Sequence, residues 1–225
     1  MALRKEELMP GPWQQLLPQA LALTDEISKH GGVTNPFFTF GGGTVLMLRY
    51  EHRFSKDIDI FVPDPQSLNY VNPRLSDVAE EVCNAQYIEA ANFVKLILEE
   101  GEIDFVASPN LLPDDKAFER WELCGRQVRV ETAAEIVAKK MYHRGALATA
   151  RDLFDLAMVI EREPEALTNA IPFMRRHLEV FRNHLRTATS NFITQFNSIQ
   201  RLNYDPTFEH AAEVAINYLD SLPAQ

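Results

Sequence analysis

Residues 40–61 run Phe-Gly-Gly-Gly-Thr-Val-Leu-Met-Leu-Arg-Tyr-Glu-His-Arg-Phe-Ser-Lys-Asp-Ile-Asp-Ile-Phe. This is a glycine turn, room for one short helix, and an apolar strand entered through two aspartates. If Asp57 to Phe61 is extended, the period of two sets Asp57 and Asp59 on one face and Ile58 and Ile60 on the other. Two like charges held that close repel. A cation between them resolves the conflict, and an all-carboxylate donor set suits Mg²⁺. The bland alternative is an exposed edge strand with its polar residues turned to water. The glycines permit close backbone approach to a phosphate, and Thr44 is placed to cap the following helix and present N–H groups to an anion.

The rest of the chain extends this unit in both directions. Apolar spacing near 3.6 predicts an opening helix over residues 13–29, stopped by Gly31-Gly32. A short strand over 37–40, the glycine turn, a helix over 44–50 and a strand over 58–62 follow, with Pro63 and Pro65 closing the last. Residues 77–91 read as a helix, and Phe93 to Leu98 with Ile103 to Ala107 as a hairpin that carries a third carboxylate, Asp104. A second hairpin, 121–130, turns at Gly125. Thr132 and Glu135 then form the signature of a capping box opening a helix to about Gly145. Helical patterns continue over 148–162, 165–186 with a bend at Pro172, 190–202 and 208–222. The expected fold class is α+β: an N-terminal domain with a small mixed sheet over residues 1–130, and a helical domain over 131–225.

Composition narrows what such a chain does. With 225 residues and 46% hydrophobic content it can bury a substantial core. No apolar run reaches the roughly 18 residues of a membrane span, and charges occupy the N-terminus where a signal peptide needs its apolar stretch, so the expected location is the cytoplasm with no membrane partner. Cys83 and Cys124 have neither metal-ligand nor disulfide-framework spacing and read as reduced thiols. The six histidines show no zinc spacing. A net charge of −10 argues against a broadly basic nucleic-acid coat but leaves room for a local basic pocket. The cations cluster at Lys139, Lys140, His143, Arg144 and Arg151, and again at Arg175, Arg176, His177, Arg182, His184 and Arg186. A solvated helix face explains either cluster; in the first, Lys140, His143 and Arg144 also lie near one helical face.

Asp57, Asp59 and Asp104 on neighbouring strands have the residue types that two-metal phosphoryl or nucleotidyl transfer needs, where carboxylates bridge two ions about 3.5–4 Å apart. Arg53 and Ser55 either orient Asp57 or simply end the helix. Arg151-Asp152 is either an ion pair bracing the helices or a nucleotide contact, and Asp155 reads as packing support.

Gly42-Gly43-Thr44, twelve residues, Asp57-Ile-Asp59 and the later Asp104 together resemble the signature of the DNA polymerase β-like nucleotidyltransferase superfamily. The finer pattern, with His52-Arg53-Phe-Ser55 before Asp57, Glu135-Ile-Val-Ala-Lys-Lys140-Met, Arg144-Gly145 and Arg151-Asp152-Leu-Phe-Asp155-Leu, is similar to the AbiEii/AbiGii toxin family within it, over roughly residues 38–160. The resemblance implies Mg²⁺-dependent transfer of a nucleotide from a nucleoside triphosphate to an acceptor, with pyrophosphate released. It implies that Asp57 and Asp59 bind metal, with two ions expected, and that Asp104 completes the cluster or acts as general base. Gly42, Gly43 and Thr44 would hold the triphosphate, Lys95 would sit near the nucleotide, and Lys140 and Asp152 would be the lysine and aspartate of a helical domain that closes the nucleotide cleft. Lys140 would also be catalytic, neutralising charge as pyrophosphate leaves. The implied partners are an acceptor, either RNA such as tRNA or a protein hydroxyl, and a cognate antitoxin. Two alternatives stand beside this: an aminoglycoside-type small-molecule nucleotidyltransferase, and a non-catalytic nucleotide-binding module.

Overall fold

The computed structural model describes residues 8–222; the first seven residues, part of the charged segment read against a signal peptide, lie outside the described residues. The chain forms two compact units. One comprises Met1–Arg49, Ser55–Asn110 and Phe118–Glu131; the other Tyr50–Phe54, Leu111–Ala117 and Thr132–Gln225. Among the described residues no helix is long and apolar enough to cross a membrane.

The first unit is a mixed sheet with helices: α1 (Trp13–Gly31), β1 (Thr39–Gly41), α2 (Gly42–Tyr50), β2 (Ile58–Val62), a 3-10 segment at Pro65–Val71, α3 (Asp77–Cys83), β3 (Tyr87–Ala90), β4 (Phe93–Ile97), β5 (Glu102–Ala107), β6 (Phe118–Leu123) and β7 (Arg126–Glu131). The seven strands lie in the order β3-β4-β5-β2-β1-β7-β6. β1 runs antiparallel to β2 and parallel to β7, and β2 runs parallel to β5. Period-two alternation does the sorting: Ile58, Ile60 and Val62 of β2 and Ile103 and Phe105 of β5 are buried, while Asp59 and Asp104 between them are partly exposed. Leu16, Leu17, Ala20 and Leu23 of α1 are fully buried in the same unit's core.

The α+β class agrees with expectation, but the sheet is larger because the 77–91 helix is wrong. Asn84 and then Ala85 take positive φ, 47° and 58°, and the Asn84 N–H closes back onto Glu80 and Glu81, which ends α3. Tyr87–Ala90 then pairs antiparallel with β4 and becomes an edge strand.

The second unit is helical: a single turn α4 (Asp114–Ala117), α5 (Ala133–Arg144), α6 (Ala150–Arg162), α7 (Ile171–Met174), α8 (Leu178–Arg186), α9 (Ser190–Asn197) and α10 (Phe208–Asp220), with 3-10 turns between. The helix expected over 165–186 breaks into short pieces; Pro172 has no N–H to continue a helix and stands in the first turn of a new one. The 190–202 helix stops at Asn197 because the chain beyond it is recruited as an extended partner for residues 51–54. Phe54 N–H donates to Gln200 O (2.8 Å), Leu202 N–H to His52 O (3.0 Å) and Asn203 N–H to Glu51 O (2.7 Å). That pairing fixes the backbone from which His52 and Arg53 project.

Candidate active site

A single register row across the sheet collects the charged residues. In the parallel β2–β5 pair Asp59 stands directly beside Asp104, in the antiparallel β4–β5 pair Lys95 stands opposite Asp104, and in β1–β2 Gly41 stands opposite Asp59. Residues paired in this way share a face. Asp57 comes immediately before β2 rather than within it, two positions from Asp59, and its Oδ1 accepts the Glu102 N–H at 3.1 Å. The sheet therefore gathers Asp57, Asp59, Asp104 and Lys95 at one place.

The electrostatics there are unbalanced. The Lys95 ammonium donates to Asp104 Oδ2 at 3.0 Å and also contacts Glu102. Asp104 Oδ1 is buried and has no hydrogen-bond partner among the described residues. Burial raises the Asp104 pKa; Lys95 opposes the rise, while the Glu102 and Asp57 charges add to it. Burial acts to lower the Lys95 pKa, but its contacts with Glu102 and Asp104 outweigh that and raise it. Among the described residues no group of three or more acidic, histidine or cysteine side chains is placed to hold a metal ion. The donor set nonetheless fits a hard divalent cation: the ligands are all oxygen, and one of them is a buried carboxylate oxygen short of a positive partner.

The glycine turn is shaped by carboxylates. Gly42 has φ of 73°, and a Cβ there would lie 1.9 Å from Asp59 Oδ2; a Cβ on Gly41 would lie 2.2 Å from Glu131 Oε2. Side chains at these positions would push the acids away. Thr44 corrects the expectation of a helix cap. α2 already begins at Gly42, and the fully buried Thr44 hydroxyl bonds to Asp57 O at 2.6 Å and Ser55 Oγ at 3.0 Å. It fastens the backbone that carries Asp57. Gly43 is the partly exposed residue of the turn.

Two acids escaped the sequence reading. Glu102 lies two residues before Asp104 on the same strand face, a position the period of two was sufficient to mark. Glu131 is fully buried, accepts the Thr39 hydroxyl at 2.7 Å, and its carbonyl receives Arg49 Nε at 3.1 Å and Nη2 at 2.7 Å. Its place beside Gly41 follows from the β1–β7 pairing, for which no local signal exists.

In the helical unit the corresponding side chains form a closed network. Fully buried Asp155 accepts His52 Nε2 (2.8 Å), Arg53 Nε (2.6 Å) and Arg53 Nη2 (2.8 Å), and Lys140 Nζ lies 3.0 Å from its Oδ2. Lys140 also donates to Asp152 Oδ1 at 2.6 Å, as does Arg144 Nη2 at 2.7 Å. Thr149 and Asp152 form a reciprocal capping box at the start of α6. Burial alone would raise both carboxyl pKa values. The Arg53 and Lys140 charges hold Asp155 well below the usual range, and Lys140 and Arg144 bring Asp152 to about 2. Burial lowers the His52 pKa, and the ionised Asp155 selects the Nε2–H tautomer; Nδ1 is left buried with no partner among the described residues.

These contacts correct several expectations. Arg53 spends its guanidinium on Asp155 rather than orienting Asp57. Asp152 pairs with Lys140 and Arg144 rather than Arg151, which is exposed. Lys139 and Lys140 are not a solvated face: both are largely buried, Lys139 beside Glu135 at 3.4 Å. Thr132 caps α5 as expected, but the Glu135 carboxylate reaches the Leu111 and Leu112 N–H groups, both at 2.9 Å. Arg182 and Arg186 of the second basic cluster pair with Asp220.

Comparisons place this arrangement among known proteins. A family model described as nucleotidyl transferase AbiEii toxin, type IV toxin–antitoxin system, matches residues 32–218. No curated protein sequence matches the chain. Among solved structures, the nucleotidyltransferase toxin MenT4 from Mycobacterium tuberculosis superposes with a TM-score of 0.51 at 20% identity, over 94% of this chain and 86% of that one. A Helicobacter pylori protein assigned as a nucleotidyltransferase superposes with a TM-score of 0.52 at 14% identity, over 94% of this chain and 95% of that one. At these identities the likeness is one of fold.

Proposed function

The chain belongs to the AbiEii nucleotidyltransferase toxin family and is a nucleotidyltransferase, and on that premise we propose that it moves a nucleotide from a nucleoside triphosphate to an acceptor hydroxyl, on RNA such as tRNA or on protein, releasing pyrophosphate. It would do so in the cytoplasm as the toxin of a pair whose antitoxin restrains it. Asp57, Asp59 and Asp104 are the residues proposed to hold Mg²⁺, two ions in the full complement. When bound, the metal supplies charge neutralisation for the triphosphate and a more acidic acceptor hydroxyl. Gly42 and Gly43 offer backbone to the triphosphate, Thr44 keeps Asp57 in place, and Lys95, Lys140 and Asp152 are the side chains assigned to the nucleotide.

One observation carries the reading. Asp104 presents a buried, unpartnered oxygen on the same row as Asp59, beside a glycine that no side chain can replace without displacing the Asp59 carboxylate. Burying a carboxylate oxygen without a partner costs free energy, and a bound cation would offset that cost.

The test is incubation of the full chain with each labelled nucleoside triphosphate, Mg²⁺, and total cellular RNA or protein. Label is expected in one acceptor class with at least one nucleotide, and its loss is expected with Asp59→Asn. Failure of all four nucleotides to label either pool would sink the proposal.

A further inference from the structure

Glu102 and Asp104 lie on one face of β5 beside Asp59, and the Lys95 ammonium is bonded to both Glu102 and Asp104. The position of that ammonium is informative. Lys95 is the direct cross-strand partner of Asp104, and Glu102 sits two residues along the same strand, so one lysine on a flexible stem reaches both carboxylates. It satisfies one oxygen of Asp104 and leaves Oδ1 buried without a partner among the described residues. Of its two acids, Asp104 is the more enclosed, with 19% of its side chain exposed against 38% for Glu102. Lys95 is thus bonded at once to an enclosed acid of the cation site and to a more open one beside it.

We propose that Lys95 is the resident counter-ion of the carboxylate site, that a divalent cation competes with its ammonium for Asp104, and that Glu102 is the partner onto which Lys95 then withdraws. The inference rests on the reading of Asp57, Asp59 and Asp104 as the cation site. Glu102 matters because it removes the penalty of releasing Asp104: the ammonium loses one of two contacts rather than being left unpaired in a half-buried place. Glu102 is in this sense a positioning residue for Lys95. Two positive species on one carboxylate repel each other even when they take separate oxygens, so the lysine lowers the affinity of the site for metal.

The experiment measures metal binding without nucleotide or turnover. Mn²⁺ is titrated into the full chain and free ion is read by electron paramagnetic resonance, for wild type, Lys95→Met, Lys95→Arg and Asp59→Asn, with circular dichroism confirming that each is folded. Removing a unit charge at contact distance should tighten Mn²⁺ binding by at least about fivefold in Lys95→Met. Lys95→Arg keeps the charge and should stay near wild type, and Asp59→Asn should bind more weakly. Unchanged or weaker binding by Lys95→Met overturns the inference and leaves the cation site standing, as does an equal shift in Lys95→Arg, which would mark a packing effect. No saturable binding by either wild type or Lys95→Met overturns the cation site itself, and this inference with it.

Discussion

The two units treat buried carboxylates in opposite ways. In the helical unit Asp155 and Asp152 are surrounded by donors: two basic side chains each, with His52 added for Asp155 and the Thr149 cap for Asp152. Their pKa values are depressed despite deep burial. In the sheet unit Asp104 has one basic partner, an orphaned oxygen and two repelling acids, and its pKa is raised. A carboxylate supplied with every partner it needs adds to stability. One left short gives stability up, and that contrast is the ground on which Asp104 is proposed as a ligand.

The largest expected effect tests the first half of that contrast. Asp155→Asn leaves Arg53 without its buried counter-charge and Lys140 with Asp152 alone, and loss of one member of a buried ionic network costs about 3–5 kcal/mol. Urea denaturation followed by circular dichroism measures it; a cost below about 1 kcal/mol would make Asp155 ordinary packing. Asp104→Asn should behave in the reverse manner. Removing a charge that its neighbours and its burial disfavour should leave stability within about 1 kcal/mol of wild type, on the stabilising side, while nucleotide transfer falls by about 10²-fold or more. A destabilised Asp104→Asn that keeps its transfer rate would erase the distinction between the two units.

The same contrast explains what the sequence made legible. β2 matches its expected bounds, Ile58–Val62, and the facing of Asp59 and of Asp104 follows from alternation within each strand, a local property, whereas the parallel register that sets them side by side does not. The partner of Arg53 lies 102 residues away, and Glu131 meets Thr39 across 92, so neither contact leaves a local trace. The sequence suggested Arg53 as an aid to Asp57 because the two are close along the chain; the pairing of residues 51–54 with 200–203 turns it elsewhere. The 77–91 segment misled for a related reason. Its Ala- and Glu-rich start has real helix propensity, but two positive-φ residues and a strand partner at β4 outweigh it from Asn84 onward. Helix ends set by tertiary pairing, as at Asn197, are likewise invisible to periodicity.

The smallest effect sharpens the comparison by isolating one charge of the closed network. Arg144 donates to Asp152, but 51% of its side chain is exposed, so its ion pair is screened. Arg144→Met should cost no more than about 1 kcal/mol at neutral pH. The pH dependence carries more information than that magnitude. Asp152 titrates at about 2 in the folded chain, below the ordinary carboxyl value near 3.8, so its stabilisation is complete above that ordinary value and is lost as pH falls toward 2. Without Arg144 the folded value moves back toward the unfolded one, which narrows the window and shrinks the term. The stability difference between wild type and Arg144→Met should therefore be constant from neutral pH down to about 5 and should close progressively below about 4. Denaturation series at stepped pH measure this, and a difference that stays level to about pH 3 would show that Arg144 acts through its methylene stem and not through the charge it gives to Asp152.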